Sequence, residues 1–116
     1  MKAISIKEPY ASMFLDGSKT IETRTWQTKH RGKLLLCASK NPKSKISGCA
    51  FAVAFLSDIQ KMRKRDEFRA CCSIYDGAYS WFLVNVEPIE PFPVKGKQSL
   101  FEVDYEHKGK LMGNQE

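Results

Sequence analysis

The chain has 116 residues, 42% of them hydrophobic, with 19 Lys and Arg against 13 Asp and Glu and a formal charge of +6. A chain of this length builds one hydrophobic core, and its apolar content excludes wholesale disorder. No stretch approaches the roughly 18 apolar residues that span a bilayer, and the start, MKAISIKEPY, lacks the apolar region of a secretory signal. These features lead us to expect a soluble cytoplasmic protein with an anionic partner, nucleic acid first among them.

In chain order, KAISI alternates as a short strand, with Ile4 and Ile6 on one side and Ala3 and Ser5 on the other. EPYASMFLDG reads as a helix with Pro9 in its first turn and Gly17 as its C-terminal cap, carrying an apolar face of Tyr10, Met13 and Phe14. The threonines and Ile21 between Thr20 and Trp26 predict a strand with Glu22, Arg24 and Trp26 on one face. KHRG is a basic turn, Lys33 to Ser39 a buried strand, and KNPKSKISG a lysine-rich loop. CAFAVAFL is apolar on both faces, with Cys49, Phe51, Val53 and Phe55 opposite Ala50, Ala52, Ala54 and Leu56. Burial on both sides suits a small barrel flanked by a helix, and the chain offers too few helices to cover a parallel sheet. Lys61 to Cys72 is polar and basic, a short helix or an insertion loop. AYSWFLVNVEPI is another strong strand, followed by short extended pieces around prolines and Gly96. We expect a single domain over 1–104 and a loose polar tail over 105–116.

Neither a metal nor a cofactor is expected. Cys37, Cys49, Cys71 and Cys72 lack C-x-x-C spacing, and His30 and His107 lie far apart, so the pattern of a structural zinc site is missing. Reduced, structural thiols are the expectation, with Cys37 and Cys49 as small buried hydrophobes.

The chemistry concentrates between Asp16 and Trp26. Same-face strand residues stand about 7 Å apart, so the side chains of Glu22 and Arg24 can converge, and Lys19 reaches the same patch from the preceding turn. A lysine, a carboxylate and an arginine beside Trp26 make an anion site with a surface for base stacking. The helix start at Pro9, Tyr10 and Ala11 adds free backbone N–H groups, from the residues after the proline, that favour a phosphate or carboxylate. The competing reading is an exposed, ion-paired strand edge that contributes little.

GSKTIETR, from Gly17 to Arg24, fits G-x-K-x-x-E-x-R, the signature of the ASCH domain (activating signal cointegrator homology). The flanking ISIKEPYA, the run from Trp26 to Lys40 and the run from Tyr79 to Phe101 resemble the same family. The resemblance implies an α+β, mainly β fold: a small PUA-like β-barrel with one or two flanking helices. It also implies binding of RNA or a nucleotide-like ligand in a cleft lined by Lys19, Glu22 and Arg24 and bordered by Pro9 and Tyr10. Trp26 and Trp81 are candidate stacking platforms, and the loops holding Lys40, Lys43 and Lys45 and Lys61, Arg63, Lys64 and Arg65 would attract phosphate non-specifically.

The alternative is a small hydrolase acting on a modified nucleoside or RNA, with Lys19 as base and Glu22 as its acid/base partner. One subgroup resembling this fold deacetylates N4-acetylcytidine with a lysine and a threonine three residues later. Glu22 stands at that threonine's place, so the nucleophilic hydroxyl is absent from it. A third possibility is a protein-interaction role in which the cleft is vestigial.

Overall fold

The structure, a computed structural model, describes residues 1–109. The elements follow one another as β1 (Lys2–Ile6), α1 (Tyr10–Asp16), β2 (Ile21–Arg24), β3 (Gly32–Ala38) and β4 (Cys49–Lys61). A single 3-10 turn (Lys64–Asp66) then leads into α2 (Glu67–Ala70), and β5 (Tyr79–Pro93) and β6 (Phe101–Glu102) complete the chain. The six strands form one sheet in the order β2-β5-β4-β3-β1-β6. β1 runs parallel to β3 and every other pairing is antiparallel.

The class is the expected one, mainly β with two short helices. The expected closure of a barrel is not: β2 and β6 are free edges of an open sheet. With four and two residues, they are too short to complete a ring. The segment around α2 also occupies the flank of β2, where Thr20 N donates to Arg69 O (2.9 Å) and Tyr75 Oη to Thr23 Oγ1 (3.0 Å).

Both faces of the sheet are covered, as the doubly apolar strands require. On one face α1 lays Ala11 and Phe14 over Ile4, Ile6, Leu34, Leu36, Trp81 and Leu83. On the other, Ala3, Leu35, Cys37, Ala50, Val53 and Phe101 pack together. The alternation read from β1 and β3 therefore holds. In β4 it breaks, because the register shifts between Ala50 and Ala52. Phe51 consequently joins Ala52, Ala54 and Leu56 in one cluster, whereas strict alternation would separate them. Asn85 has the same effect in β5, since its φ of 55° turns the strand and brings Val86 to the cluster that contains Leu83.

The strand expected from Thr20 to Trp26 is shorter, ending at Arg24. The basic stretch after Lys61 does form a short helix. In the tail, Tyr105 stacks on Phe92 (5.1 Å) and Lys33 Nζ donates to the carbonyls of His107 and Gly109. Residues 110–116 of the expected loose segment lie outside the described residues.

Candidate functional site

Gly17, with φ 84°, ends α1 in the left-handed conformation and turns the chain into β2. Lys19 leaves that turn and is almost fully buried, at 2% exposure. Its Nζ donates to Ala70 O at the end of α2, stands 3.6 Å from Glu22 Oε1 and lies 4.8 Å from the Tyr10 ring centre. The second oxygen of Glu22 accepts from Arg24 Nε (2.8 Å) and stands 2.7 Å from Nη2. Arg24 Nη2 in turn donates to Ser5 O on β1 (2.8 Å). A continuous relay thus runs from the α2 carbonyl through Lys19, Glu22 and Arg24 to the β1 backbone. Two cations share one carboxylate, so the cluster keeps a net positive charge. Among the described residues Arg24 Nη1 has no partner, which leaves donors for a ligand.

Arg24 and Glu22 form part of the wall of a cleft of about 750 Å³, together with Tyr10, Ser5 and Ser39. Lys7, Lys40, Lys95 and Lys97 also line it, and all four are exposed. Five cationic side chains therefore face a single carboxylate that is already paired. The loop after β5 forms one side: Val94 N donates to Gly48 O (3.0 Å), and Gly96 sits against β1. A Cβ at Gly96 would stand 3.0 Å from Ser5 Oγ and 3.3 Å from Ser5 Cβ, so glycine lets the loop approach β1 without displacing Ser5.

The expected site residues separate into three groups. Tyr10, Glu22 and Arg24 line the cleft. Lys19 supports it from behind and instead borders a second recess of about 500 Å³ with Phe14, Thr20 and Leu83. Trp26 lies past the end of β2, half-buried, with the Arg24 guanidinium 6.0 Å from its ring centre. Trp81 is different. It is fully buried, packed edge-on against Trp26 (5.0 Å, 83°) and hydrogen-bonded to Trp26 O. Its indole consequently has no face open to a base, which corrects its expected role as a stacking platform.

The helix start also differs from expectation. Pro9 is exposed and precedes the first helical residue, after a cis Glu8–Pro9 peptide. Ser12 N and Ser12 Oγ both donate to the Glu8 carboxylate (2.8 Å each), and Ala11 N donates to Lys7 O. The chain's own carboxylate therefore fills the place assigned to a ligand anion. Burial pushes the Glu8 carboxyl up, but hydrogen bonds from Ser44 and Ser12 outweigh it and hold it below its ordinary value.

Sequence reasoning missed Ser5, Lys7, Lys95, Gly96 and Lys97 as cleft residues. The lysines on either side of Gly96 in PVKGKQ were the available signal, because a glycine permits close backbone approach and its neighbours here are cations. Among the described residues no cluster of His, Cys, Asp and Glu could hold a metal ion. The four cysteines are free, and burial pushes the Cys37 thiol up to about 12, helped by Cys49.

A sequence profile of the ASCH domain matches residues 4–93. The chain belongs to the ASCH domain family. Activating signal cointegrator 1 of Homo sapiens is 24% identical over an alignment covering 95% of this chain, and the Mus musculus protein matches equally. This ASCH domain spans only 24% of the length of those relatives. Among solved structures, ASCH from Zymomonas mobilis superposes with a TM-score of 0.70 at 18% identity, covering 88% of this chain and 86% of that one. A tyrosine-to-phenylalanine variant of the Zymomonas protein gives 0.65 at 16% identity, covering 88% of each chain. At such identities the structural likeness establishes the ASCH fold alone. No helix among the described residues is long and apolar enough to cross a membrane.

Proposed function

We propose that this ASCH domain binds RNA or a nucleotide-like ligand in the cleft between β1, β2 and the loop after β5. The observation that carries the reading is the charge of the lining: Lys7, Arg24, Lys40, Lys95 and Lys97 against one neutralised carboxylate. Arg24 is held rigidly by Glu22 and Ser5 O, so it meets a phosphate or base edge with little loss of side-chain freedom. The exposed lysines supply phosphate attraction that releases counterions. Tyr10 offers a ring at the wall, and Trp26 a second one near Arg24.

Nothing in the geometry favours the hydrolase alternative. It requires Lys19 to accept a proton from a substrate, yet Lys19 does not line the cleft, and its Nζ is engaged by a carbonyl and a carboxylate.

The test is fluorescence-anisotropy titration of short RNA oligonucleotides at several salt concentrations. Neutralising Lys95 and Lys97 together should reduce the slope of log affinity against log salt by roughly 1.4, at about 0.7 per phosphate contact on a single strand. Arg24→Ala should weaken binding at every salt concentration. A wild-type protein with salt-independent or undetectable binding to RNA and to mononucleotides refutes the reading.

A further inference from the structure

The segment between β4 and β5 carries a second surface, on the flank of β2. Ala70 and Met62 anchor it from inside against Ile21 and Ala78. Its outer side exposes Lys61, Arg63, Lys64, Arg65 and Arg69. The acidic residues in the middle of this run are occupied internally. Asp66 is buried and accepts from Arg63 N and Ser80 Oγ (3.0 Å each), while Glu67 accepts from Ile74 N (2.8 Å). Amid the five cations stands Phe68, 81% exposed, with the Arg69 guanidinium 5.8 Å from its ring centre. Tyr75 and Ile74 are each 42% exposed on the same segment.

We infer that this face binds single-stranded nucleic acid, with Phe68 as the base-stacking platform and the surrounding arginines and lysines on the phosphates. Phe68 is far more exposed than Ile74 and Tyr75, at 81% against 42% each. An exposed ring with the Arg69 guanidinium beside it, in a segment rich in exposed lysine and arginine, matches the alternation of base and phosphate along a single strand. A lipid surface fits less well. Membrane binding needs a sizeable apolar helical face, and α2 has only four residues, of which Phe68 is the one exposed apolar side chain. The surface is separate from the cleft: Ile21 and Thr23 pack against this segment, whereas Glu22 and Arg24 point the other way. A strand held at both places would be gripped on two sides of β2.

The experiment compares wild type with Phe68→Ala and with Arg63→Glu/Lys64→Glu. Ligands are a 5′-AMP mononucleotide, single-stranded oligonucleotides of RNA and DNA, and anionic phospholipid vesicles. Phe68 is exposed, so its removal leaves folding intact, which a thermal melt verifies. The inference expects Phe68→Ala to weaken oligonucleotide binding about fivefold or more at unchanged salt slope. The charge reversal should weaken binding and lower the slope, and mononucleotide binding should stay as in wild type. Equal RNA and DNA affinities identify the shared phosphate-and-base chemistry, and a preference for RNA adds recognition of the 2′-hydroxyl; both outcomes require the Phe68 effect. Unchanged oligonucleotide affinity in Phe68→Ala overturns the inference, and vesicle binding lost in the same variant reassigns the face to a membrane. Failure of the cleft reading looks different: Arg24→Ala would then be silent while Phe68→Ala still weakens oligonucleotide binding.

Discussion

Replacing Lys19 with methionine tests whether this residue is a support or a ligand contact. The substitution keeps the length and apolar stem of the side chain and removes only the ammonium. At 3.6 Å from Glu22 Oε1, the gross Coulomb attraction is about 5 kcal/mol in an effective dielectric of about 20. Relief of the desolvation cost of a buried ammonium offsets part of this loss. The Ala70 carbonyl also loses a charged donor, worth about 1.5–3 kcal/mol. Glu22 keeps Arg24 as a partner, which limits the damage. The net expectation is a loss of about 3 kcal/mol, which for a domain of this size lowers Tm by roughly 10 °C. Urea unfolding should show the same loss as a lower midpoint with m little changed. RNA affinity, measured well below Tm, should fall less than in Arg24→Ala, because Lys19 acts on the cleft only by steadying Glu22. Wild-type stability combined with a loss of binding as complete as that of Arg24→Ala would sink this reasoning and place Lys19 in contact with the ligand.

Three further outcomes follow from the geometry. Trp81→Ala should cost about 3–5 kcal/mol by leaving a core cavity, whereas Trp26→Ala should cost less; urea melts separate them, and near-equal losses would contradict the burial contrast. The folded-state pKa of Glu8 lies below the ordinary 4.5, so its contribution is present above about pH 4.5 and lost as pH falls through the depressed value. Glu8→Gln should therefore be less stable than wild type at neutral pH and converge with it in acid; a stability gap that stays constant from pH 7 down to acid unfolding contradicts this account. Gly96→Ala should push the loop away from Ser5 and weaken nucleotide binding with little change in Tm, and unaltered affinity would mean that the loop does not shape the site.

Much of the architecture was legible because burial on two faces writes itself into residue patterns. The runs KAISI and LLLC alternate between the two clusters as period 2 requires. Legibility failed where one residue carries a backbone irregularity. A register shift beside Phe51 and a left-handed Asn85 each change which residues join a given cluster; asparagine tolerates that conformation, but its type alone does not mark where a strand turns. For the site, local spacing identified Glu22 and Arg24 as neighbours, since both lie on one face of one strand. It did not reveal that Lys95 and Lys97 join them from over seventy positions away, because that meeting depends on the whole sheet. Trp81 shows a related limit: an aromatic in a strand apolar on both faces reads equally as core or rim until the packing of Trp26 against it is known.

The pairing of β1 with both β3 and β6 has a consequence for how the chain is made. Among the six strands β1 is made first, and β3 can join it once residue 38 has cleared the exit tunnel. The other edge of Lys2 and Ala3 waits for residues 101–102, about 60 residues later. At about 5–20 residues per second, that is on the order of 3–12 s. Throughout this interval one side of the first strand presents unpaired backbone groups to any neighbouring nascent chain. Lys2, exposed on this strand, is the charge best placed to discourage such pairing. The two-residue β6 thus closes, at Lys2 and Ala3, an edge that stays open while the rest of the sheet is made.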